Sequence, residues 1–242
     1  MLLNVGQIDV YIFLTERGIN LAIKSQIIDR MTGQAPFGVW TPVDFIDLGS
    51  RDAVDQALSR MVATGDIRRI TRGLYDLPRL NALTKKQTNP DPRRVIDALA
   101  RRDQARMLVD GLTAANDLGL SDAVSSKIIV HTDARLRPIT MGAQTITFKP
   151  TAPSRLYWAG RLGMRLIQAL HWLRDKITTN KDQIERRVRT ILSDEKHGAA
   201  IADDIKKDLT TLPDWMQSFL IPIINGRSIL ASATATEKRR RQ

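Results

Sequence analysis

At 242 residues, with 43% hydrophobic and 26% charged side chains, the chain has the make-up of a globular protein and the length for two ordinary domains. The absence of cysteine removes disulfides, thiolate metal sites and cysteine nucleophiles together, and fits a reducing cytoplasm. A net charge of +11 is hard to explain for a small-molecule enzyme but ordinary for a nucleic-acid binder, because neutralising phosphates releases counterions.

In chain order, residues 1–18 alternate apolar side chains (Leu2, Leu3, Val5, Ile8) with Asn4, Gln7 and Asp9. No basic run precedes them, and they are too short and polar to span a bilayer, so they read as a strand or helix packing on the core or as an N-terminal extension outside the fold. Residues 19–80 form the first expected domain. Leu21, Ile23, Ile27, Ile28 and Met31 recur at helical spacing. Thr41-Pro42 pairs an N-cap with proline at the first helical position, opening a short helix to Asp47. A Leu48-Gly49 turn follows, and Ser50 caps a second helix whose buried stripe is Val54, Ala57, Leu58, Met61 and Val62. Gly65 ends that helix. Two short strands, Asp66–Ile70 and Leu74–Leu77, flank the basic turn Thr71-Arg72-Gly73.

Helix, turn, helix and two-stranded hairpin is the order of a winged helix-turn-helix, which sets its second helix in the DNA major groove and its hairpin over the adjacent backbone. The expected base-reading face is Ser50, Arg51, Gln56, Ser59 and Arg60. The expected phosphate grip is Arg68, Arg69, Thr71 and Arg72, with all three arginines projecting outward. An arginine-rich hairpin is also what a plain solvated surface looks like, and winged helices also serve as protein-interaction modules.

Residues 81–92 are polar and broken by Pro90 and Pro92, so they read as a linker. Residues 93–226 form the second expected domain, a mixed α/β unit ending in helices, which makes the fold class α+β. Its first helix, Arg93 to Arg106, exposes Arg93, Arg94, Arg101 and Arg102, candidates for secondary nucleic-acid contacts. A short helix Leu112–Leu118 and strands at Lys127–His131, Ile139–Met141 and Gln144–Lys149 follow. Helices then run over Leu156–Ile177, Ile184–Leu192, Ala199–Leu209 and Trp215–Ile224. Residues 227–242 read as a basic, disordered tail.

Charge is unevenly placed. Residues 1–80 carry nine basic and nine acidic side chains, whereas residues 81–175 carry fifteen and eight. No enzymatic site is legible. His131, His171 and His197 lie apart, with no metal-ligand spacing and no phosphate-cradling glycine motif, so no catalytic residue, metal or cofactor is expected. A restriction-type nuclease needs an acid two residues before a strand lysine, and Thr147 stands there before Lys149. Asp110, Asn116, Asp117 and Asp133 read as helix caps and turn formers.

The words Gly49-Ser50-Arg51, Asp55 to Arg60 (DQALSR), Ile67 to Ile70 (IRRI) and Arg72 to Asp76 (RGLYD) closely resemble the N-terminal domain of AbiEi-type antitoxins. These belong to type IV abortive-infection toxin–antitoxin systems of bacteria. The stretches GLTAANDLGL, IIVHTDARLRPITMG and ITFKP, and the late LTTLPDWMQSFLIPII, resemble the second domain of that family, so the resemblance runs from about Ile19 to Asn225. It implies a cytoplasmic DNA-binding antitoxin that represses its own operon at inverted repeats in double-stranded promoter DNA. It also implies a functional counterpart, a nucleotidyltransferase toxin, commonly countered without a stable complex. The alternative is a stand-alone winged-helix transcriptional regulator without a toxin. No membrane partner is expected.

Overall fold

A computed structural model describes residues 22–33, 38–123 and 126–226. The expected 1–18 extension, the 227–242 tail and Leu21 of the first helix lie outside these residues. The chain is mixed α+β and divides into two units, Met1–Ala105 with Ile139–Ala143, and Arg106–Pro138 with Gln144–Gln242.

Helical spacing of apolar side chains builds the first unit. On α1 (residues 22–33), Ile23, Ile27 and Met31 recur every four residues and are buried. On α2 (Arg51–Ala63) the buried set is Val54, Ala57, Leu58 and Met61. The two stripes close around Phe45 of a 3-10 turn (Pro42–Phe45), with Trp40, Ile67 and Tyr75 completing the core. Fully burying each large apolar side chain contributes about 1.5–3 kcal/mol. The expected short helix from Pro42 is therefore a tighter 3-10 turn. Thr41 and Asp44 still form a reciprocal capping box there, the Thr41 N–H donating to Asp44 Oδ2 at 2.7 Å.

Strands β1 (Val39–Trp40), β2 (Arg68–Thr71) and β3 (Leu74–Asp76) make an antiparallel sheet in the order β1-β3-β2. The two-residue β1 was not legible in the sequence. Helix α3 (Pro92–Asp103) buries Val95, Ile96, Ala98 and Leu99 and packs on β1 and β3. It groups with the first unit, whereas the sequence reading began the second domain at residue 93. Its apolar stripe needs a partner, and that sheet supplies one. The expected linker is ordered locally: Asn81 Oδ1 accepts from the N–H groups of Leu83 and Thr84 at 2.9 and 3.0 Å, and Leu80 bridges to Gln87.

In the second unit, β4 (Met107–Val109) runs antiparallel to β5 (Lys127–Thr132), and β7 (Gln144–Pro150) lies parallel on its other side. Strand β6 (Ile139–Met141) falls in the short segment that groups with the first unit. Helix α4 (Gly111–Asp117) packs against α5 (Met164–Leu192). A Cβ on Gly111 would stand 2.5 Å from Trp172 Cβ and 2.7 Å from the Gln168 carbonyl, so only glycine allows that approach.

Helix α5 joins two expected helices across a kink at Asn180 (φ −125°, ψ 32°). It begins at Met164, so Leu162, which falls within the expected Leu156–Ile177 helix, precedes it and is exposed. Helices α6 (Gly198–Lys207) and α7 (residues 214–226) follow. No helix among the described residues is long and apolar enough to cross a membrane.

Candidate nucleic-acid interface

Ser50 fixes the start of α2, its hydroxyl accepting from the Ala53 N–H at 3.2 Å. Thirteen residues at 1.5 Å rise give the helix about 20 Å of length. Outside its buried stripe, Arg51, Gln56, Ser59 and Arg60 are exposed. The structure thus exposes the expected base-reading residues, Gln56, Ser59 and Arg60 grouping opposite the stripe and Arg51 standing nearer its edge at the first turn. Arg51 Nε also donates to Asp55 Oδ2 at 2.8 Å, an exposed pair one turn apart of the kind worth about 0.3–0.5 kcal/mol.

The 3-10 turn before α2 is tied to α1 by Arg30, whose guanidinium donates to both oxygens of Asp47 (2.7 and 2.6 Å) and to the Asp44 carbonyl. That bond to Arg30 holds the Asp47 carboxyl below its ordinary range. The exit of α2 is fixed likewise. Gly65 adopts φ +78°, and Lys24 of α1 reaches Asp66 at 2.6 Å. The Lys24 and Thr64 donors lower the Asp66 carboxyl.

In the hairpin the three expected phosphate-binding arginines separate. Arg68 does not project outward. Its Nε and Nη2 grip the buried carboxylate of Asp76 at 2.9 and 2.5 Å. The cause is register. Thr71 pairs with Leu74, but Arg69 pairs with Tyr75 and Arg68 with Asp76, so a bulge at Ile70 sets Arg68 opposite the acid. A buried carboxylate without a partner is costly, and Arg68 is the group that satisfies it. Arg69 and Arg72 are exposed, and Thr71 is half-buried beside them. Among the described residues Arg60, Arg69 and Arg72 make no ion pair.

The arginines of α3 separate too. Arg94 is exposed and makes no ion pair among the described residues. Arg93 is exposed at the first turn, where its N–H donates to the capping Asp91 at 2.9 Å. Arg101 leans toward the 3-10 turn, 3.4 Å from the Val39 carbonyl and 4.0 Å from Asp44. Arg102 is half-buried, clasps the Asp103 carboxylate at 2.8 and 2.7 Å, and donates to the Arg72 carbonyl at 2.5 Å. Sequence reasoning missed this last contact, which joins residues thirty positions apart with no local signal.

In the second unit the polar residues considered earlier hold loops in place. Asp110 caps α4, Asn116 donates to the Ala123 carbonyl, Asp117 pairs with Arg165 at 3.2 Å, and Asp133 accepts the Arg106 N–H at 2.9 Å. Arg161 bridges Asp204 and Asp208 at 3.0 and 2.7 Å while covering the Trp158 ring at 4.2 Å. Trp158 is buried, and Trp172 and Trp215 are half-buried beneath Lys176 and Arg174.

These features describe a two-unit α+β protein whose first unit joins an exposed polar helix face to a basic turn. The chain belongs to a family of unknown function, DUF6088, whose match spans residues 26–199 and takes in every residue of the candidate interface. No curated protein matches it.

Proposed function

We propose that the protein is a DNA-binding antitoxin and transcriptional autorepressor of a toxin–antitoxin operon, its first unit working as a winged helix. In this reading α2 is the recognition helix and the β2–β3 hairpin is the wing. Gln56 and Arg60 read base edges, where a good bidentate contact gives about 1–3 kcal/mol of discrimination. Arg69 and Arg72 hold phosphates, while Arg68 shapes the wing from within. The observation that carries the reading is an exposed helix face with hydrogen-bonding side chains in the same unit as a hairpin whose Arg69 and Arg72 are exposed and make no ion pair among the described residues. The resemblance of the same words to AbiEi-type antitoxins supplies the operon context and the nucleotidyltransferase counterpart.

The test is titration of the full chain against duplex DNA from upstream of its own coding sequence, beside an unrelated duplex of equal length. Selective binding that weakens steeply with salt is expected. Equal affinity for both duplexes, or none for either, overturns the reading. Co-expression with any nucleotidyltransferase encoded next to it should relieve growth arrest, and unrelieved arrest would leave a stand-alone regulator.

A further inference from the structure

The β2–β3 turn does not stand free in the first unit. Arg102, near the end of α3, has three of its five N–H groups engaged. Nε and Nη2 lie on the Asp103 carboxylate, and Nη1 donates to the Arg72 carbonyl. The neighbouring acid orients the planar fork, so its remaining arm points at the turn. Gly73 adopts φ +70°, and the Arg102 stem packs beside it, its Cδ 3.5 Å from where a Cβ would stand, an ordinary van der Waals distance. A main-chain carbonyl held from one side fixes the peptide plane between Arg72 and Gly73, and with it the direction in which the Arg72 side chain leaves the turn.

We propose that Arg102 is a positioning residue for DNA binding, which acts through Arg72 by latching the wing turn to α3. The proposal rests on the DNA-binding reading above. It also assigns α3 to the DNA-binding machinery as the support of the wing, with Arg102 making no phosphate contact of its own. An Arg102 that touched phosphate would give up counterion release when removed, and an Arg102 that supports the turn would not.

The experiment is a double-mutant cycle on the full chain, reading affinity for the upstream duplex by fluorescence anisotropy at four salt concentrations. Arg72→Ala should weaken binding and flatten the log–log salt slope by about one unit. Arg102→Ala should weaken binding about 3- to 10-fold, the scale of one hydrogen bond, with the slope unchanged. In the Arg72→Ala background the same change should have no further effect, because there is no side chain left to aim. Arg102→Lys, which can still donate to the carbonyl, should recover most of the loss. Should Arg102→Ala fail to fold, Asp103→Ala tests the same latch by freeing the fork, and should weaken binding in the same sense.

Additive losses in the double variant overturn the proposal, as does a slope that falls with Arg102 alone. A parent protein that binds no DNA overturns the functional reading and the latch together, whereas normal parent binding with additive losses overturns the latch alone.

Discussion

Helices α2 and α3 are built alike and differ in how their arginines are engaged. Each buries four apolar residues in one stripe and carries arginines outside it. On α2, Arg60 makes no ion pair among the described residues, and Arg51 is restrained only by an exposed pair with Asp55. On α3, Arg101 and Arg102 reach back to the 3-10 turn and the hairpin turn. Basic helical faces therefore cannot be ranked as nucleic-acid surfaces by charge alone. What separates the last turn of α3 from α2 is that Arg101 and Arg102 spend donors on main-chain carbonyls elsewhere in the unit, whereas Arg51 meets only its own helix.

The comparison breaks most violently at the buried stripes, where the two helices should behave alike. Leu58→Ala on α2 and Leu99→Ala on α3 each remove a side chain packed to 0–1% exposure. Each should destabilise the first unit by about 2–5 kcal/mol in denaturant melts. A much smaller loss for Leu99→Ala would mean that α3 is not an integral part of that unit.

The exposed faces should then diverge. Gln56→Ala with Arg60→Ala is expected to erase preference for the upstream duplex, at about 1–3 kcal/mol per contact, with thermal stability intact. Arg94→Ala on α3 should leave preference unchanged. Retained preference in the α2 double variant would misassign the reading face.

Within the hairpin the same contrast recurs on a smaller scale. Arg68→Ala leaves the Asp76 carboxylate buried without its partner and should cost stability by about 1–3 kcal/mol, while the salt slope of the surviving protein stays put. Arg69→Ala should do the reverse, keeping the melting temperature and flattening the slope by about one unit.

The smallest expected effect is on pH dependence. Asp47 and Asp66 have carboxyls lowered by Arg30 and by Lys24. Their stabilising pairs are fully formed above the ordinary carboxylate range near ~4, and are lost as pH falls through the lowered folded values. The melting temperature should be flat around neutrality and drop in acid, and Asp66→Asn should blunt that drop. A melting curve of Asp66→Asn as acid-sensitive as the parent's would show that this pair contributes nothing.

Much of the first unit was legible because its signals are local. Thr41-Pro42, Ser50 and Gly65 announce their roles through capping and φ preferences, and the α2 stripe through spacing. The two-residue β1 and the three-residue β4 (Met107–Val109) were not, being too short for alternation to register. The grouping of α3 with the first unit was not legible, because prolines 90 and 92 read as a linker, although Pro92 is simply the first residue of α3. The second unit's two expected helices, Leu156–Ile177 and Ile184–Leu192, correspond to the two arms of α5, which meet at the non-helical backbone of Asn180.

The hairpin arginines fail for a more instructive reason. Successive strand residues point to opposite faces, so Arg68 and Arg69 could not both project the same way. Which of them meets Asp76 depends on whether the turn is counted as two residues or three. A two-residue turn with regular pairing would put Arg69 opposite the acid, and a three-residue turn would put Arg68 there. The fold closes the shorter turn and then inserts a bulge, arriving at the register of the longer one.

That bulge is slack in the chain. Ile70 has no cross-strand partner of its own, so a one-residue deletion there leaves Thr71 opposite Leu74, Arg69 opposite Tyr75 and Arg68 opposite Asp76. Removing a residue from the β3 side has no such reserve, and would slide Asp76 away from its guanidinium. Length variation among relatives should therefore be tolerated on one strand of this hairpin and purged from the other.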